Sequence, residues 1–244
     1  MRILEKLAQR ERDARACAPQ LICCLGDSVT HGCFEVFFNE KGQIDTVYEP
    51  WNGYAALLER RLRALYPAAA VNVLNAGISG DNATGALARL ERDVLSRKPD
   101  LVTVNLALND AMNPDVEAGL AAYAAAMGEI MDRVLASGAE CMLVTPNFMC
   151  AYVSHALQEE GLRTIARDAG RVQNEGILAC YVAAARAEAE RRRVPIADAF
   201  ARWQALASAG VDATKLLSNH INHPTREAHG MFVEAILAQL LQEA

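Results

Sequence analysis

Long apolar runs are missing from this 244-residue chain. None approaches the ~20 residues that a membrane-crossing helix requires, so no membrane span is expected. A basic block is missing as well. The formal net charge is −6, and without a Lys/Arg cluster nucleic acid finds no electrostatic footprint. The seven cysteines include no CxxC pair, and their odd number and scatter argue against a disulfide framework. Cys23 and Cys24 stand side by side in an apolar run, as buried thiols in a reducing cytoplasm would. The opening stretch MRILEKLAQRERDARA is charged throughout. It has no apolar stretch of the kind a signal peptide needs, so the expected location is cytoplasmic. Repeats, low-complexity tracts and linkers are also absent. With 52% hydrophobic residues, the length suits one well-buried domain over 1–244 and is short for two.

What the chain does have is alternation. Apolar runs of strand length occupy 20–25, 70–74, 101–106, 140–145 and 194–197. Between them, helical spacing of apolar residues predicts helices over 52–66, 83–96, Pro114 to about Gly138, and 199–208. The segment 147–193 reads as mainly helical, and a last helix is predicted over 226–242. Strands alternating with helices indicate an α/β fold with a five-stranded parallel sheet covered on both faces, a three-layer sandwich. An N-terminal amphipathic helix over 3–16 could pack outside the sheet or contact a second subunit, which leaves a homo-oligomer open. Between the first strand and the next helix, FEVFF and QIDTVY flank the turn residues Asn39 to Gly42. That pattern predicts a β-hairpin within 33–49. Starting so near the first strand, it stands either at the rim of the site described next or away from it as a surface excursion.

Four short stretches carry the chemistry. GDSVTHG, Gly26 to Gly32, follows the first strand and puts Ser28 at its carboxyl end, where open α/β sheets place ligands. NAGISGDNA, Asn75 to Ala83, follows the second strand, and LALND, Leu106 to Asp110, follows the third. NHINHP, Asn219 to Pro224, stands before the last helix. A Gly-Asp-Ser triplet alone is most often an ordinary turn. Ser, Gly, Asn and His in this order and setting resemble the SGNH (GDSL-type) hydrolases, from about Leu21 to the end of the chain. The resemblance implies the flavodoxin-like strand order and a serine hydrolase of esters or thioesters without metal or cofactor. It implies Ser28 as nucleophile, and an oxyanion hole of the Ser28 N–H, the Gly80 N–H and the Asn109 side-chain amide. Asp110 could cap the helix that begins there, leaving the Asn109 amide free. Asp27 reads as structural, bonding loop amides.

Of the five histidines, His223 sits where the family's base sits. His31 is three residues from Ser28 and too constrained, and His155 and His229 fall on predicted helices. One departure matters. The family has Asp three residues before its histidine, and this chain has His220 there. Asn219, Asp198, Asp212, His220 or a main-chain carbonyl could orient His223. The carbonyl of the 218–221 loop is the expected partner, with neither Asp essential. A zinc site on His220 and His223 lacks a third ligand at a recognisable spacing. The expected partner is a small acyl ester, with acetylated carbohydrate, short acyl ester and acyl thioester all open, and short acyl groups favoured. A catalytically weak ligand-binding relative is the alternative that the missing Asp suggests.

Overall fold

The computed structural model describes residues 1–15 and 17–242. Its main sheet has five parallel strands: β1 (Leu21–Gly26), β4 (Asn72–Gly77), β5 (Leu101–Asn105), β6 (Glu140–Val144) and β7 (Ile196–Ala197). Their order is β4-β1-β5-β6-β7, the flavodoxin-like arrangement. The central strands are buried on both faces, which is why they read as unbroken apolar runs. Ile22, Cys23, Cys24 and Leu25 of β1 have no exposed surface. One helical layer holds α4 (Ala83–Asp93), α6 (Val116–Ala136), α7 (Glu160–Asn174) and α8 (Ile177–Arg192), with α6 packed between α4 and α8 and α7 on α8. The other holds α3 (Tyr54–Leu65), α10 (Gly230–Gln242) and α9 (Ala199–Ser208).

Several boundaries differ from the sequence reading, each for a local reason. The long helix starts at Val116 rather than Pro114, because Asp115 caps it by accepting from Ala118 N. The last helix begins at Gly230, not at 226. Pro224 bridges to Leu217, and Thr225 donates its N–H to Leu216, so 224–229 is a turn. The fifth strand shrinks to two residues, Ile196 and Ala197. Helix α1 (Arg2–Arg12) buries Ile3, Leu4 and Leu7 in this chain's own core. Glu140 accepts from the N–H groups of Arg2 and Ile3, each at 2.8 Å, and Lys6 pairs with Asp100. That face therefore packs on the sheet of this chain. The final residue of the predicted helix, 16, lies outside the described residues.

At the carboxyl ends of the strands the chain is packed without room for side chains. β1 lies between β4 and β5, so the connections leave it in opposite directions and open a crevice at those ends. The short helix α2 (Ser28–His31) rests directly on the end of β4. A Cβ added to Gly77 would lie 2.3 Å from His31 N and 2.7 Å from the Thr30 carbonyl carbon. Neither backbone atom can yield without moving α2. Gly77→Ala is therefore expected to destabilise the fold by ~1–3 kcal/mol, the usual cost of overpacking. Urea unfolding measures it, and a wild-type midpoint with an unchanged slope would contradict the close approach.

Candidate active site

Ser28 is the first residue of α2, and it is held there by its predecessor. Asp27 caps the helix, its carboxylate accepting from Val29 N at 2.9 Å. Burial pushes the Asp27 carboxyl up to about 7, which fits the structural part assigned to it from the sequence. The Ser28 hydroxyl lies 2.9 Å from Nε2 of His223. Serine and histidine are both nearly buried, at 4% and 5% exposure.

His223 comes from a turn built by one side chain. Oδ1 of Asn219 accepts from the backbone N–H groups of Ile221, Asn222 and His223, each at 2.9 Å. Behind it, Asn147 donates to the Asn222 carbonyl and Cys150 N donates to that of Ile221. The stretch after β6 thus backs the histidine loop.

Nδ1 of His223 does not reach the 218–221 loop. It lies 2.7 Å from the carbonyl oxygen of Phe34, in the hairpin formed by β2 (Cys33–Phe38) and β3 (Ile44–Tyr48). A carbonyl only accepts, so Nδ1 carries the proton and Nε2 keeps a lone pair for Ser28. Of that loop's carbonyls, the one of Ile221 accepts from Cys150 N. The four side chains considered for this part stand elsewhere. Asp198 caps α9 and pairs with Arg186 at 2.8 Å. Asp212 caps a short turn and accepts from the Tyr152 hydroxyl. Asn219 is used on its own backbone, and His220 has a left-handed backbone (φ 55°) and makes no bond to His223.

The expected oxyanion donors surround the same space. Ser28, Gly80, Asn109 and His223 line one cavity of about 330 Å³. One hydrogen of the Asn109 amide is used on the Asp81 carbonyl at 2.7 Å, which fixes the plane of the group and leaves its second hydrogen. Asp110 does not cap its own short helix, α5 (Leu108–Ala111). It accepts from Ala83 N, at the start of α4. The rest of the wall comes from the hairpin (Val36, Ile44, Thr46), from α7 (Leu162, Ile165) and from Ile221, so the hairpin does stand at the rim.

Two of the other histidines have structural partners. His31 accepts from Ser79 N and packs against the Tyr48 ring at a tilt. His229 is fully buried and accepts from Tyr54 N.

A sequence model of the GDSL-like Lipase/Acylhydrolase family matches residues 24–231. The chain belongs to that family. It is 35% identical over 86 residues to an acetylxylan esterase of Geobacillus stearothermophilus, covering 35% of this chain and 37% of that protein. It is 34% identical over 105 residues to esterase TesA of Pseudomonas aeruginosa, covering 41% and 50%. The aligned stretches thus span half or less of these relatives. In fold it is similar to the crystal structure of Axe2, an acetylxylan esterase from Geobacillus stearothermophilus, with a TM-score of 0.67, 21% identity and coverage of 91% and 94%. It is also similar to LAE5, an α/β hydrolase from the Lake Arreo metagenome, at TM-score 0.65 and 23% identity.

Phe34, Arg226, Glu35 and Glu49 were not singled out from the sequence. A signal was there for one of them: Glu35 interrupts the otherwise apolar FEVFF.

Burial lowers the His223 pKa to about 4, opposed more weakly by the Phe34 carbonyl and the Glu35 charge. The sign follows from Nε2, which can accept from Ser28 only while unprotonated. Labelling of Ser28 by a fluorophosphonate is expected to stay level on acidification through the ordinary histidine range and to fall near the folded value of about 4. The His223 ring protons should titrate there by NMR. A labelling midpoint near 6.5, the unperturbed histidine value, would contradict it.

Proposed function

We propose that this chain is a carboxylic ester hydrolase acting on short acyl groups, with acetyl esters of carbohydrate as the substrate class to test first. The observation that carries the reading is a serine hydroxyl 2.9 Å from a singly protonated, oriented imidazole. Both groups open on a cavity with three amide donors at its edge. Ser28 Oγ attacks the acyl carbon as its proton passes to Nε2 of His223. The carbonyl oxygen becomes an oxyanion facing the N–H groups of Ser28 and Gly80 and the Asn109 amide. His223 returns the proton to the departing alcohol, leaving an acyl group on Ser28. Water, deprotonated by the same nitrogen, then releases the acid.

Acetyl is favoured on two grounds. The cavity of about 330 Å³ is at the low end of ligand pockets, and the acetylxylan esterases resemble this chain. Short acyl esters of other alcohols and acyl thioesters are the remaining classes. The buried thiols of Cys24 and Cys141, both pushed up to about 12 by burial, are inert and suit the reducing cytoplasm we assign to the protein.

Ser28→Ala is expected to abolish hydrolysis of p-nitrophenyl acetate and to leave the circular dichroism unchanged. Near-normal turnover in that variant would sink the assignment, and a wild-type protein that resists fluorophosphonate would point to a binding protein instead. Asp198→Asn and Asp212→Asn should each stay within about tenfold of wild type, ~1.4 kcal/mol in barrier, since neither touches His223. Across p-nitrophenyl esters, the optimum should fall at the shortest acyl chains. A maximum at long chains would overturn the acyl preference.

A further inference from the structure

The group that receives the His223 proton is a main-chain carbonyl, which is only as well placed as the strand that carries it. That strand, β2, pairs with β3 alone and shares no ladder with the five-stranded sheet. Something else must hold Phe34 against the histidine loop. Beneath it, the Phe34 ring packs on His229 with centroids 5.1 Å apart. Above it, the Arg226 guanidinium lies 4.4 Å from the ring centroid.

Arg226 stands three residues beyond His223, in the turn before α10, and it grips both sides of the hairpin. Its Nη1 and Nη2 donate to the two oxygens of Glu35 at 2.6 and 3.0 Å. Its Nε and Nη2 donate to the two oxygens of Glu49 at 2.8 and 2.9 Å. Glu35 is the residue after Phe34, and Glu49 follows β3 and donates its N–H to the Gly32 carbonyl. One guanidinium therefore ties the base's own loop to the residues flanking the carbonyl. The arrangement needs the planar fork of arginine, since an ammonium cannot form two bidentate pairs and a ring stack together.

Charge favours a clamp that stays closed. Hydrogen bonding to Arg226 lowers the Glu35 pKa and holds Glu49 at about 2, which favours the ionised forms that the guanidinium grips. Glu35 raises the His223 pKa, and the buried His229 beside Phe34 is held neutral.

We infer that Arg226 is a positioning residue: through Glu35 and Glu49 it sets the Phe34 carbonyl on His223 Nδ1–H, in place of the acid that the histidine loop lacks. The inference rests on the reading of Ser28 and His223 as nucleophile and base. A half-exposed ion pair adds little to stability, so the effect of the clamp is on geometry.

The test compares wild type, Arg226→Met, Arg226→Lys and Glu49→Gln, with Arg202→Met as control because its ion pair with Glu234 joins α9 to α10 and bonds neither the hairpin nor His223. Two quantities are read: the slowly exchanging Nδ1–H signal of His223 by NMR, and kcat on p-nitrophenyl acetate. Arg226→Met should lose or broaden the signal and lower kcat by roughly tenfold to a hundredfold, the usual cost of a misplaced catalytic group. Arg226→Lys should fall between, and Arg202→Met should match wild type in both. A folded Arg226→Met with the signal and kcat of wild type overturns the inference. If that variant does not fold, Arg226→Lys and Glu49→Gln both behaving as wild type overturns it equally. The NMR arm is independent of turnover. An inactive wild type that shows the signal, and loses it in Arg226→Met, keeps the clamp and removes the esterase reading. An active wild type whose signal ignores every variant does the reverse.

Discussion

A neutral imidazole has one N–H, and where that proton goes decides what the other nitrogen can do. In this protein it goes to the Phe34 carbonyl at 2.7 Å, and the free lone pair faces Ser28 at 2.9 Å. The site depends on that assignment. If Nδ1 lost its acceptor, the ring could turn or take the other tautomer, and Nε2 would then meet the serine with a proton instead of a lone pair. A carbonyl fixes the tautomer as a carboxylate would. It lacks the full charge that steadies the imidazolium formed during attack. Glu35, adjacent to Phe34, is the negative group that raises the His223 pKa. Burial outweighs it, so the base is a weak one, held neutral over a wide pH range.

The site is assembled from two kinds of support. Ser28, Gly80 and Asn109 follow β1, β4 and β5, three adjacent strands of the sheet. A buried arginine fastens these ends together. Arg89 donates to the carbonyls of Gly26 and Ala76 at 3.0 and 2.7 Å and pairs with Asp81 at 2.6 Å. It thereby ties the carboxyl ends of β1 and β4 to the loop bearing Gly80. Neither His223 nor Phe34 is in the five-stranded sheet, and Phe34 lies in a hairpin inserted in the connection from β1 to β4. They come from a late turn and an early excursion, 189 residues apart in sequence. Side chains alone join those two segments, above all Arg226. Ser28, Gly80 and Asn109 are held by the ends of the sheet, whereas His223 is held through polar contacts to the hairpin.

That division also explains what could be read from the sequence. The central strands were legible because a parallel strand buried on both faces must be apolar throughout. Ser28, Gly80, Asn109 and His223 were legible because each sits in a motif tied to an element boundary. Phe34 was not, because a main-chain carbonyl leaves no mark on residue type, and any residue there supplies one. Asp110 was assigned to the wrong helix for a related reason. Capping chemistry predicts that a carboxylate will accept from helix N–H groups, but not which of two neighbouring helices offers them. Arg226 was concealed by the helical reading of 226–242, which placed it on a helix. Only the turn at 224–229 frees it to reach the hairpin.

The same hairpin that orients the base also walls the cavity. Phe34 lends its carbonyl while Val36, Ile44 and Thr46, on the same two strands, face the space beside Ser28. Had the orienting group been a carboxylate on the histidine's own loop, pocket and base could have shifted independently. Here they cannot. An acyl group too large for the cavity presses on the strand that carries the Phe34 carbonyl, and a displacement of a few tenths of an ångström is a large fraction of the tolerance of a 2.7 Å hydrogen bond. In the proposed reaction, a poor fit therefore acts on the proton-transfer step as well as on binding. Acyl selectivity of this origin appears in kcat and not only in KM, because the misfit is felt at the nitrogen that must accept the serine proton.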